Sequence, residues 1–285
     1  MKIKKFKMPV YLMLFFCSFQ ANAQKTIEYG SNNGKYLSIY GAKIYYEEYG
    51  SGIPLLLLHG GLTSIYSLSN IIPELSKNFR VIVTDAPGEG RSEEPDSLNY
   101  KLFATYASKL IDLLKLDSVY VYGFSLGGNT ALQLAADRPD KVKMTVVHSA
   151  VYNYSGFGPG FGGDKVTPEM MEAHPQFWLD DHLKKSPQKE KWKQHVNAIA
   201  KMMATRDIIA EDRLKQIKNK VLIVQGDQDL IKPEHALQMY NLIKGSQLCI
   251  LPATTHFVLF ENPELIKKAV LDFLLKKEPK MRIGM

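Results

Sequence analysis

Val121-Tyr122-Gly123-Phe124-Ser125-Leu126-Gly127-Gly128 is the stretch that decides how the rest of this chain is read. An apolar, β-branched run over 118–122 leads straight into Gly-x-Ser-x-Gly. A helix-period segment follows at once, with Leu126, Ala131, Leu132, Leu134 and Ala135 at its apolar positions. Strand, sharp turn and helix is the context that holds a serine hydroxyl exposed at the tip of a strained turn. The flanking glycines permit the tight backbone and leave no side chain between the hydroxyl and an approaching molecule. Ser125 is therefore the candidate nucleophile.

Outward from this point the chain alternates. Residues 35–40 and 43–49 read as two strands joined at Gly41, and 54–58 is a short, wholly apolar run of the kind buried on both faces. Residues 65–77 and 102–116 have helical spacing, with a strand at 80–84 between them. Further strands are expected at 141–148, 221–225 and 247–251, and helices at 126–137, 233–243 and 263–276. This rhythm predicts an α/β fold: a mostly parallel sheet with helices on both faces and chemistry at the carboxyl ends of the strands.

Residues 151–212 break the rhythm, with no strand-like run. About 60 helical residues between two core strands exceed an ordinary loop, so they read as a helical cap inserted between core segments 24–150 and 213–285. In the connector over 155–163, Gly156, Gly158, Gly160 and Gly162 alternate with bulky residues. It follows no strand tightly and opens no helix, so it is not a phosphate cradle.

Residues 1–23 have the form of a secretory signal. Lys2, Lys4, Lys5 and Lys7 precede an apolar run over 8–19, and Ala21-Asn22-Ala23 is a small-residue cleavage site. The run is shorter than the roughly 20 residues that span a bilayer. Leu14-Phe15-Phe16 before Cys17 lacks the small residue that a lipid-modified cysteine requires. The expectation is export, with cleavage after Ala23 and no stable membrane anchor left. Losing those four lysines, with no acid before residue 24, takes the formal charge from +7 to +3. More of the remaining charge sits in the tail at Lys276, Lys277, Lys280 and Arg282, so nothing points to nucleic acid. Cys249 alone survives cleavage, in the apolar run 248–251, and reads as an inert core thiol with no disulfide partner.

A serine hydroxyl needs a base to take its proton. Of the seven histidines, His174, His182 and His195 lie in the cap, in solvated or cap-core positions. His235, after Pro233, is expected to be exposed, and His148 ends a core strand where it can line a pocket. His256, on a loop just past the strand at 247–251, shares the carboxyl edge with Ser125 and is the candidate base. The carboxylate that orients it comes from Gly226-Asp227-Gln228-Asp229, where both aspartates compete. For the oxyanion hole, one donor is the backbone N–H of Leu126 at a helix N-terminus. Gly61 supplies the second from His59-Gly60-Gly61-Leu62, with Leu62 as the fallback. His59 itself packs the loop and donates hydrogen bonds. No metal-spaced cluster is visible, and no cofactor is expected.

These elements resemble the α/β-hydrolase family in its capped, single-domain form. The matching motifs are His59-Gly60-Gly61, the loop from Asp85 through Gly88-Glu89-Gly90 to Ser92, the run Gly123 to Gly128, Gly226-Asp227-Gln228-Asp229 and Thr255-His256. The resemblance implies that Asp229, fourth in Gly-x-x-Asp, is the acid, and that the 85–92 loop braces the site. It also separates this chain from members with an aspartate at the elbow, where Ser125 stands here. Carboxylesterases, thioesterases, C–C bond hydrolases and cofactor-free perhydrolases share one triad, so amide, thioester or C–C bond cleavage stands as the alternative. The reading favours a serine hydrolase of small or medium neutral esters, with Phe124, His148 and Trp178 as substrate-binding residues. A ligand-binding sensor that keeps the pocket is the rival from another class. Met170, Met171, Phe177, Trp192, Met202 and Met203 complete the expected apolar roof, with Tyr152 and Tyr154 as aromatic walls. Oligomeric state is left open.

Overall fold

In the computed structural model, eight strands form one sheet in the order β1-β2-β4-β3-β5-β6-β7-β8. Described are residue 28, residues 34–159, residue 167 and residues 176–276. The leader over 1–23, Gly160, Gly162, Met170, Met171, His174, Lys277, Lys280 and Arg282 lie outside the described residues. The strands are β1 (Lys35–Ile39), β2 (Ala42–Tyr49), β3 (Ile53–Leu58), β4 (Phe79–Thr84), β5 (Val119–Phe124), β6 (Val142–His148), β7 (Lys220–Gly226) and β8 (Gln247–Leu251). The pairs β1–β2 and β2–β4 are antiparallel, and every later pair is parallel.

Both faces of the sheet are covered, as the unbroken apolar runs require. Leu56 and Leu58 of β3 face a core that includes Leu110, Ile111, Leu132 and Met239. Their neighbours Leu55 and Leu57 face Ile72, Leu259, Ile266 and Phe273 on the other side. Such fully buried side chains each contribute on the order of 2 kcal/mol from burial. The helices doing the covering are α1 (Ile72–Leu75), α2 (Tyr100–Leu113), α3 (Leu126–Asp137), α7 (Pro233–Leu242), α8 (Val258–Glu261) and α9 (Pro263–Leu274). Between β6 and β7 lie α4 (Gln176–Lys185), α5 (Trp192–Met203) and α6 (Glu211–Lys215).

One expected helix is broken. Residues 65–77 form a single 3-10 turn, Ile65–Leu68, and then α1. Between them the backbone closes short turns, Ser69 N–H to Tyr66 O and Ile71 N–H to Leu68 O at 3.0 Å each, in place of a continuous helical ladder. Asn70 donates its side-chain amide to Leu259 O at 3.0 Å, and Pro73 sits in the first turn of α1 with no N–H to give.

Register decides where the loops go. Leu58 pairs with Gly123, Phe124 with His148, His148 with Val224, and Gly226 with Leu251. The residues following β3, β5, β6, β7 and β8 therefore emerge together on one edge, beneath α4 and α5.

Candidate active site

Ser125 caps the start of α3 with φ 54° and ψ −118°. A non-glycine residue in this region costs about 1–3 kcal/mol and persists only where its surroundings over-determine it. Here they do. Ser125 N–H donates to His148 O (2.9 Å), and Ser125 O accepts the first helical bond, from Asn129 N–H (3.0 Å). Close backbone approach also dictates the glycines. A Cβ at Gly123 would stand 2.0 Å from Gly127 O, and one at Gly127 would stand 2.1 Å from Leu58 O.

Three loop ends meet at the serine. His256 Nε2 lies 3.0 Å from Ser125 Oγ, and His256 Nδ1 lies 2.8 Å from Asp229 Oδ1. A carboxylate on Nδ1 fixes the proton there and leaves Nε2 free to accept the serine proton. Asp229 is fully buried and fully paired. Its Oδ1 also accepts from Ile231 N–H (3.1 Å), and its Oδ2 accepts from Ser149 Oγ (2.5 Å). Burial pushes its pKa up, but His256 and these hydrogen bonds outweigh burial and hold it below the usual carboxylate value. Asp227 points elsewhere and accepts from Thr254 N–H across the β8 loop (3.2 Å), which steadies the segment leading to His256. Ser149 escaped the sequence reading. Its only sequence signal is that it directly follows β6 on the working edge.

The loop after β3 supplies the oxyanion hole candidates. His59 Nε2 accepts from Ala86 N–H (2.9 Å), so its proton is on Nδ1, which donates to Gly60 O (2.7 Å). Thr63 Oγ1 donates to the same carbonyl at 2.7 Å. Two donors on Gly60 O lock the Gly60–Gly61 peptide and polarise its N–H. A Cβ on Gly61 would touch Leu126 Cδ2 at 3.4 Å, and one on Gly60 would touch Ser125 Cβ at 3.3 Å, so this peptide lies against the elbow. Among the described residues, neither Gly61 N–H nor Leu126 N–H has a protein acceptor. Leu62, the fallback, is engaged elsewhere: its N–H donates to Glu89. The charges of the 85–92 loop likewise hold backbone, with Asp85 accepting from Ile65 and Arg91 N–H at 2.8 Å each.

Above the triad is an apolar cavity of about 100 Å³. Phe124, Trp178, Ile199, Met202, Met203 and Phe257 are among its walls, and no lysine or arginine is among its described lining residues. His148 does not line it. That ring is fully buried behind Phe124, with centroids 5.0 Å apart, and Nδ1 is bonded to Tyr122 OH at 2.7 Å. Burial drives its pKa down to about 3, so it places no cation beside the triad. His235, expected to be exposed, is 2% exposed. It accepts from Tyr152 N–H (3.1 Å) and stacks on the Tyr152 ring, and burial lowers its pKa to about 4. Its helix starts under the first cap residues, which the apolar spacing of 233–243 did not reveal. Tyr152 is thereby turned away from the cavity, and Tyr154 packs under Arg206. Phe177 is exposed, and Trp192 packs on His182. Cys249 is half-buried, its pKa raised by burial.

The sequence model of the family described as alpha/beta hydrolase fold matches residues 53–191, a span that includes the elbow. Proteins of that fold also match along most of the chain. This chain has the α/β-hydrolase fold. The 2-hydroxy-6-oxo-2,4-heptadienoate hydrolase of Pseudomonas putida is 29% identical over 252 residues, covering 80% of this chain and 91% of that one. The 2-hydroxymuconate semialdehyde hydrolase of a Pseudomonas species is 26% identical, covering 86% and 95%. Among solved structures, the enol-lactonase of Burkholderia xenovorans superposes with a TM-score of 0.71 at 21% identity, covering 85% of this hydrolase and all of that chain. Likeness at that identity speaks for the fold alone.

Proposed function

We propose that this α/β-hydrolase is an exported serine hydrolase that cleaves small or medium neutral carboxylic esters through an acyl-enzyme. One observation carries the reading: the unbroken hydrogen-bond relay Ser125–His256–Asp229 opens into an apolar cavity with no cationic side chain among its described lining residues.

Ser125 Oγ attacks the ester carbonyl carbon as His256 Nε2 takes its proton, and buried Asp229 stabilises the imidazolium. The carbonyl oxygen becomes an oxyanion facing Gly61 N–H and Leu126 N–H, the second at the positive end of α3. As the tetrahedral centre collapses, the C–O bond to the alcohol breaks and His256 returns the proton to the departing oxygen. Water then attacks the acyl-enzyme with His256 again as base, releasing the acid and restoring Ser125. Size and polarity come from the cavity, whose methionines and aromatics suit short to medium apolar groups.

A C–C bond hydrolase is the second reading, favoured by the names of the two Pseudomonas relatives. Both names denote carboxylates, whereas no lysine or arginine is among the described residues that line this cavity. Ligand sensing without turnover remains the reading from another class. A fluorophosphonate probe should label the wild type and leave Ser125→Ala unlabelled. With p-nitrophenyl butanoate, Ser125→Ala and His256→Ala should each lower kcat by several orders of magnitude with melting unchanged. Wild-type turnover by Ser125→Ala would sink the proposal, and turnover confined to 2-hydroxy-6-oxo-dienoates would replace it with the second reading.

A further inference from the structure

Two polar side chains in the cavity wall have no bond inside the protein. Tyr100, the first residue of α2, and Asn129, one turn past Ser125 on α3, are 7% and 4% exposed and both line the cavity. No hydrogen bond involves the Tyr100 hydroxyl, whose pKa is raised by burial alone, and none involves the Asn129 side-chain amide. The other polar liners are occupied. Thr63 bonds Gly60 O, Ser67 bonds Ser64 O, and Ser149 bonds Asp229. Polar groups held this deep are paired in the great majority of cases, so two unpaired ones that face a cavity point to a partner that enters it.

Both groups are rigidly held. Asn99 caps α2 just before Tyr100, its Oδ1 accepting from Leu102 N–H at 2.9 Å. Asn129 N–H is pinned to Ser125 O at 3.0 Å, which sets its side chain about one helical turn, some 5–6 Å, from the nucleophile. Apart from the bonded Thr63, Ser67 and Ser149, the other side chains that line the cavity are apolar or belong to Ser125 and His256. A hydroxyl and a carboxamide offer both donors and acceptors, and with no lysine or arginine among the described lining residues they suit a neutral oxygen better than an anion.

We propose that Tyr100 and Asn129 form a substrate-recognition subsite for a neutral hydroxyl or carbonyl group carried a few bonds from the scissile ester, so that hydroxy- or oxo-acyl esters are the substrate class. This rests on the ester reading above. An all-apolar acyl chain would bury both polar groups unpaired, while a matching oxygen pairs them, and a site built this way rejects the analogue that lacks the oxygen.

The test uses matched p-nitrophenyl esters: butanoate against 3-hydroxybutanoate, and pentanoate against 4-oxopentanoate. In the full-length protein at least one oxygenated ester should exceed its plain partner in kcat/KM by about tenfold. Tyr100→Phe, which removes one oxygen and keeps the ring, should collapse that ratio severalfold, and Asn129→Leu should do the same. Binding of the same esters to Ser125→Ala, followed by tryptophan fluorescence, reads the preference without turnover. Preference in binding with no turnover of any ester would support this subsite and overturn the ester hydrolase reading. Turnover or binding with equal ratios in the wild type would overturn the subsite, and so would a ratio that survives Tyr100→Phe. Should Asn129→Leu fail to fold by circular dichroism, Tyr100→Phe decides alone.

Discussion

Asp229→Asn should cost far more activity than Asp227→Asn. The two residues are two positions apart, yet only Asp229 reaches His256, and Asp227 holds Thr254 N–H. An amide at 229 can present N–H to His256 Nδ1, favouring the tautomer that cannot accept from Ser125. The expected loss in kcat is on the order of 10⁴-fold, against less than tenfold at 227. Equal losses in the two purified variants would overturn the assignment. Loop spacing alone leaves both aspartates in competition, because a spacing of two does not say which way a carboxylate turns, and only the resemblance singles out Asp229. The partner Ser149 and the lock on Gly60 O by Thr63 were not legible either. The first depends on loops 80 residues apart meeting at the sheet edge, and the second on how the single loop over 60–63 turns back on itself.

At the scale of elements, the elbow and the cap helix α5 each make a prediction. Gly127→Ala puts a methyl group 2.1 Å from the Leu58 carbonyl, which neither rigid strand nor helix can yield to. The expected cost is about 3 kcal/mol, seen as a Tm fall of roughly 5–10 °C with activity lost as α3 shifts. An unchanged Tm would show that the β3–α3 packing is looser than drawn. On α5, His195 is 1% exposed and stands between Glu89 (3.2 Å) and Glu94 (3.4 Å) of the core, with His182 of α4 nearby. Burial opposes its charge, but the two carboxylates prevail and raise its pKa from 6.5 to about 9. A raised folded pKa contributes stability that is complete below about 6.5 and lost as pH rises through about 9. Because Glu89 also accepts from Leu62 N–H, this pair joins the cap to the oxyanion loop. His195→Gln should lose about 3 kcal/mol at pH 6, and the Tm gap to wild type should shrink by pH 10. A gap constant with pH would mean the ring packs as neutral.

For the whole molecule, export is the open proposal. The run of four lysines, the apolar stretch and Ala21-Asn22-Ala23 lead to the expectation that protein from its native source begins at Gln24. Mass spectrometry of the N-terminus checks it, and an intact Met1 in a cytoplasmic fraction would refute it. Among the described residues no helix is long and apolar enough to cross a membrane.

The sheet, its helices and the sharp turn that carries Ser125 were legible in the sequence because they are local. Period-2 and period-3.6 apolar patterns, and the Gly-x-Ser-x-Gly turn between strand and helix, are written over a few consecutive residues. Strand order, with β4 between β2 and β3, was not. The same holds for the burial of His148 and His235, the bonds that Glu89 makes and the two unpaired groups Tyr100 and Asn129. These follow from which loops the parallel register brings to a common edge and which cap side chains close over it. Such contacts join residues up to 131 positions apart, and a one-dimensional pattern carries no record of the distance between them in space.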